Sequence, residues 1–145
     1  MSYPFIYNSD TTVLWGGFNQ RETFQSKNTD HTVINVSHQE FSESDYWIPL
    51  NDGVYDSTES TDNFAEAVNT TRNQLQNENP IFVHCAYGQS RSVMVLATAL
   101  SAEKDISLDQ VLSTMKESYS DIDPAPQLQT KAKVYLRHTT RHNTV

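Results

Sequence analysis

Apolar residues recur along this chain in two rhythms, and each rhythm marks an element. Short apolar runs bounded by turn residues predict strands at Phe5–Tyr7 and Thr12–Gly16, paired as a hairpin across Asn8-Ser9-Asp10. Thr32–Val36 predicts a further strand, and Ile81–His84 a strand buried on both faces. Tyr46–Leu50 is extended, with Pro49 placing it at an edge or a strand end because proline cannot donate to a ladder. The helical rhythm begins at Phe64, Ala67, Val68 and Leu75, which predict a helix over Thr61–Gln76 stopped by Asn79-Pro80. Val93–Ala102 is apolar almost all round and predicts a buried helix. Ser107-x-x-Gln110 has the form of a capping box, with Leu108, Val111, Leu112, Met115 and Tyr119 on one face behind it. Pro124-Ala125-Pro126 opens a last helix with Leu128, Ala132 and Tyr135 turned inward. Strands alternating with helices predict an α/β fold: a central, mainly parallel sheet of four to five strands flanked by helices. The length fits one domain spanning residues 1–145, with no linker, repeat or low-complexity block.

Composition narrows the function classes. A formal charge of −8 opposes binding to nucleic acid or an anionic membrane through net charge. No stretch is long and apolar enough to span a bilayer, and Met1–Tyr7 lacks the basic and apolar regions of a signal peptide. The single cysteine excludes an intrachain disulfide and fits a reducing, cytoplasmic setting. The expected state is a monomer.

That cysteine carries the chemistry. Cys85 follows the predicted strand, Arg91 comes six residues later, and the buried helix begins just beyond. A thiolate, not a thiol, is the nucleophile. Three features of the segment favour it: the helix N-terminus with its unpaired N–H groups, the Arg91 guanidinium, and the Ser92 hydroxyl. The same groups grip a tetrahedral dianion, and an arginine fork meets two phosphate oxygens at once. Gly88 permits a turn that points loop amides inward. A buried strand-end cysteine acting as a small hydrophobe would account for Cys85 alone, but not for His84, Gly88, Arg91 and Ser92 at fixed offsets.

The run His84-Cys85-x-x-Gly88-x-Ser90-Arg91-Ser92 resembles the signature of the cysteine-dependent protein tyrosine phosphatases, most nearly the dual-specificity subfamily. The resemblance implies a phosphocysteine mechanism needing neither metal nor other cofactor. Cys85 would attack phosphorus, Arg91 would hold the equatorial oxygens, and Ser92 would help the thiolate leave. Ala86, Tyr87, Gly88, Gln89, Ser90 and Arg91 would form the phosphate loop, while His84 would orient the Cys85 backbone without acting as a base. The family's general acid is an aspartate on a loop some thirty-odd residues upstream. Asp52 matches, 33 positions before Cys85, with Asp56 as its competitor. Leu14-Trp15-Gly16-Gly17 and Val33–Ser37 resemble the family's early strands, and Asp123-Pro124-Ala125-Pro126 sits where the family enters its last helix. The turn there is Pro-rich where the family often has an Asn-rich one, although Gln127-Leu128 is present.

Substrate class is less sharply drawn. The neutral Ala86, Tyr87 and Gln89 disfavour inositol lipids, since phosphoinositide phosphatases of this family carry lysines there. Tyr87 either meets an aromatic substrate or packs against the acid loop, the latter being favoured. A phosphoprotein is the expected substrate. Lys133, Arg137 and Arg141 recur every four residues on one helix face, either as a solvated face or as a docking stripe for an acidic partner or RNA. A polynucleotide 5′-phosphatase is the competing enzyme class. A phospho-binding module is opposed by an intact Cys85, Arg91 and Asp52. Arsenate reduction, which usually needs further thiols, is opposed by their absence.

Overall fold

The structure is a computed structural model and is described for residues 3–8, 11–21, 30–50 and 61–140. The Ser9-Asp10 turn, Asp52, Asp56 and Arg141 lie outside the described residues. The strands are β1 (Tyr3–Asn8), β2 (Thr11–Gly16), β3 (Thr32–Asn35), β4 (Tyr46–Trp47) and β5 (Ile81–His84). The helices described in full are α1 (Thr61–Gln76), α2 (Arg91–Lys104), α3 (Leu108–Ser118) and α4 (Pro126–Thr140), and residues 18–21 are also helical. All four predicted helices and the predicted strands are present. The Tyr46–Leu50 segment is the shortest of the strands, pairing only over Tyr46–Trp47 before Pro49.

The strands form one sheet in the order β1-β2-β5-β3-β4. β1 runs antiparallel to β2, as the hairpin pattern predicts, and the other neighbours are parallel. β5 is therefore central, with Ile81 opposite Val13 on one side and Thr32 on the other. In register, Gly16 and Asn35 flank His84, so three parallel strands end at the same level. The carboxyl ends of parallel strands are where such sheets bind ligands, because the loops and helix N-termini collect there.

Alternation along β5 separates the two faces. Ile81 and Val83 join Val13, Trp15 and Ile34 in the main core, packed with residues of α1, α2, α3 and α4. Phe82 points the other way and clusters with Leu14 and Val33. α2 is the central helix, buried continuously from Ser92 to Ala102. Its polar side chains are matched internally: Thr98 Oγ1 donates to the Met94 carbonyl at 2.6 Å and Ser101 Oγ to that of Ile106 at 2.5 Å. Ser107 caps α3 as its sequence predicts, accepting from the Gln110 amide at 3.1 Å. Leu108, Val111 and Met115 are the buried face behind that cap, with Leu112 and Tyr119 packed beside it. Among the described residues, no helix is long and apolar enough to cross a membrane.

Candidate active site

Cys85 leaves the end of β5 directly into the loop that precedes α2. Its amide donates to the Gly16 carbonyl at 3.2 Å, continuing the sheet pairing by one residue. The thiol is 2% exposed. Two polar groups converge on the sulfur: the Gly88 amide donates to Sγ at 3.3 Å, and Ser92 Oγ lies 3.2 Å away. Ser92 Oγ also reaches the Gly16 carbonyl at 3.5 Å.

The loop is pressed against the end of β2, and glycine makes that approach possible at two places. Gly88 has φ +73°, and a Cβ there would stand 2.8 Å from the Gly16 carbonyl carbon. A Cβ on Gly17 would stand 2.5 Å from the Ala86 oxygen. The Ala86 carbonyl instead accepts from the Phe18 amide at 2.9 Å, and Gly17 forms a bridge with Tyr87. Ala86 and Gly88 thus back the loop, whereas Tyr87, Gln89, Ser90 and Arg91 line a cavity of about 120 Å³ beside Cys85.

Arg91 begins α2. One terminal nitrogen, Nη1, donates to the Leu50 carbonyl at 3.2 Å. Its Nε is buried with no hydrogen-bond partner among the described residues. A buried guanidinium donor without a partner is costly, and an oxyanion in the cavity would satisfy it. Ser90 is turned the other way: its Oγ accepts from the Ala125 amide at 2.9 Å, and the Asp123 amide donates to the Gln89 carbonyl at 2.7 Å. These two bonds clamp the entry to α4 onto the Cys85–Arg91 loop and bring Asp123 into the cavity wall. The sequence quotes Asp123 only as part of a resembling turn; its approach to Cys85 depends on contacts 34 and 35 positions apart that leave no local pattern.

His84 lies beneath the loop, fully buried, stacked on Phe82 with ring centroids 5.5 Å apart. Phe41 and Phe18 close round it at 5.9 Å and 6.3 Å. Arg21 lies 3.9 Å over the Phe41 ring and pairs with Glu43 at 2.6 Å. Burial pushes the imidazole down to about 4, and nearby Arg21 adds to that, while the Cys85 backbone and Glu43 oppose it. His84 is therefore neutral at pH 7. Tyr87 lines the cavity and is 77% exposed; the acid loop against which packing was expected lies outside the described residues.

A sole cysteine held by an amide and a hydroxyl, with an unpaired arginine donor in the same small cavity, is the arrangement that the signature implies. A model of the family described as dual specificity phosphatase, catalytic domain, matches residues 17–137. The chain belongs to that family. This phosphatase shares its fold with solved members. The crystal structure of DUSP15 superimposes with a TM-score of 0.74 at 16% identity, covering 96% of this chain and 90% of that one. Human DUSP28 gives 0.71 at 16% identity, covering 92% of each. PTPMT1 in complex with PI(5)P gives 0.71 at 18% identity, covering 97% and 99%. No curated protein sequence matches the phosphatase.

A larger cavity of about 490 Å³ opens between α1 and α4, lined in part by Phe64, Arg72, Val134 and Tyr135. Arg72 is already engaged there by Glu103 at 2.6 Å and by Tyr135 at 3.0 Å. On the same last helix Lys133 and Arg137 are exposed, as either reading of the basic stripe requires.

Proposed function

We propose that this cysteine-dependent phosphatase hydrolyses phosphotyrosine and phosphoserine or phosphothreonine in proteins through a phosphocysteine at Cys85. One observation carries the reading: the Cys85 sulfur accepts from the Gly88 amide and meets Ser92 Oγ, beside an Arg91 whose buried Nε has no partner. The Cys85 thiolate attacks phosphorus in line, forming a P–S bond as the ester P–O bond breaks. The leaving oxygen takes the proton of Asp52. Water then attacks phosphorus, the P–S bond breaks, and inorganic phosphate leaves with the thiolate restored. Arg91 and the α2 N-terminus hold the equatorial oxygens throughout. Ser92 donates to the departing sulfur in the second step. His84, neutral and enclosed by aromatic rings, holds the end of β5 in place and takes no proton.

Support for Asp52 comes from Leu50, two positions earlier, whose carbonyl accepts from Arg91. The neutral Tyr87 and Gln89 lining supports a phosphoester without further phosphates nearby, as in a protein side chain rather than an inositol lipid.

Aryl phosphate hydrolysis tests the reading. Cys85→Ser abolishes turnover, and vanadate inhibits the wild type. Asp52→Asn lowers kcat by about 10²–10⁴ and removes the basic limb of the pH–rate profile. Turnover surviving Cys85→Ser overturns the mechanism; the Asp52 signature appearing in Asp56→Asn instead reassigns the acid.

A further inference from the structure

Asp123 sits in the wall of a cavity built to hold a dianion. Its backbone is fixed there by the Asp123 amide on Gln89 and the Ala125 amide on Ser90. Pro124 between the two anchored residues stiffens the turn further. Among the described residues the Asp123 carboxylate has no ion pair or hydrogen-bond partner, and the residue is exposed as well as lining the cavity. A bound phosphoryl group brings two negative charges into the same small space. Among the described residues Arg91 is the cavity's one cationic side chain, and the phosphoryl group engages it, which leaves the Asp123 charge to act on what flanks the phosphoester. Anything anionic attached next to the phosphoester is repelled by it, and a cation there is drawn to it.

A second lining residue offers the same preference by another route. Tyr87 lines the cavity and is 77% exposed, an unusual position for so large a side chain. The face of an exposed tyrosine attracts an ammonium or guanidinium within about 6 Å of its centroid. Gln89, also in the wall, supplies amide donors and acceptors but no charge.

We propose that Asp123 and Tyr87 make this site selective for phosphopeptides with lysine or arginine beside the phosphorylated residue, and against those flanked by aspartate or glutamate. The inference rests on the protein-phosphatase reading and names its substrate class. Two rim contacts of this kind together give about a tenfold preference, of which Asp123 supplies about two- to fivefold.

The test compares kcat/KM for two otherwise identical phosphopeptides, one with lysine and one with glutamate at the flanking positions. It is run at about 0.15 M salt, where the general field of a −8 protein is screened beyond about 8 Å. The readout is the Lys-to-Glu ratio within each protein, so a change in intrinsic turnover cancels. The wild type favours the lysine peptide about tenfold; Asp123→Asn narrows the ratio; Asp123→Lys reverses it; Tyr87→Leu narrows it without reversal. A wild-type ratio near one, or a ratio unmoved by both Asp123 variants, overturns the proposal while phosphopeptide turnover itself stands. No turnover of either peptide, with aryl phosphate still hydrolysed, overturns it together with the protein-substrate reading.

Discussion

Among the described residues neither ring nitrogen of His84 has a hydrogen-bond partner of good geometry, and its value of about 4 lies below the ordinary 6.5. The unfolded chain therefore takes up the proton first as the pH falls. Stability from the neutral ring is complete above pH 6.5, declines between 6.5 and about 4, and is lost below that. The difference corresponds to about 3 kcal/mol at 1.36 kcal/mol per unit. Urea midpoints of the wild type and His84→Phe at pH 7, 5.5 and 4.5 isolate it from the carboxylates that both proteins share. Phenylalanine keeps the stack on Phe82 but cannot titrate, so the variant gains on the wild type as the pH drops. A difference that stays constant across the range removes the histidine from the acid sensitivity. The signature alone marks His84 as part of the site; its aromatic surroundings come from Phe18 and Phe41, single residues outside any apolar rhythm.

At the level of elements, periodicity locates α1 to α4 but not the helical residues 18–21, and the ends show where physics was still to be read. α1 stops with the Asn79 amide bonded to the Gln74 carbonyl and the Glu78 amide to that of Leu75, both at 3.0 Å. That is a Schellman ending, whose left-handed position usually holds glycine. Here it holds Glu78 at φ 59°. A left-handed L-residue costs roughly 1–2 kcal/mol, part of which glycine returns as greater freedom of the unfolded chain. Glu78→Gly should raise stability by about 0.5–1 kcal/mol and the melting temperature by a few degrees, measured by calorimetry, with turnover unchanged. A lower melting temperature would mean that Glu78 contributes more through its side chain than its backbone costs. The sequence marks this helix end by Asn79-Pro80, but the missing glycine hides how the end is built.

Across the whole molecule, the Cys85–Arg91 loop is held by segments distant in sequence: Gly16 and Gly17 behind it, Ala125 beside it, and Leu50 on Arg91. The strand and helix pattern makes the loop legible as a local motif. The Gly16-Gly17 pair is visible only as a resemblance, because the reason for it, contact with Ala86 and Gly88, exists only once the sheet is assembled. Since the cradle forms only in the folded chain, a tetrahedral oxyanion should bind the native state alone. Tungstate at a hundred times its Kd should then add about 2.7 kcal/mol of stability, read as a rise in melting temperature that Arg91→Ala removes. An equal rise in that variant would assign the effect to bulk salt. The solitary cysteine has a practical corollary. Cys85 is the chain's entire thiol content and its sulfur is reached through the cavity, so a small alkylating reagent counts competent molecules one for one. The stoichiometry of labelling, with and without a competing oxyanion, reports the active fraction of any preparation without a turnover assay.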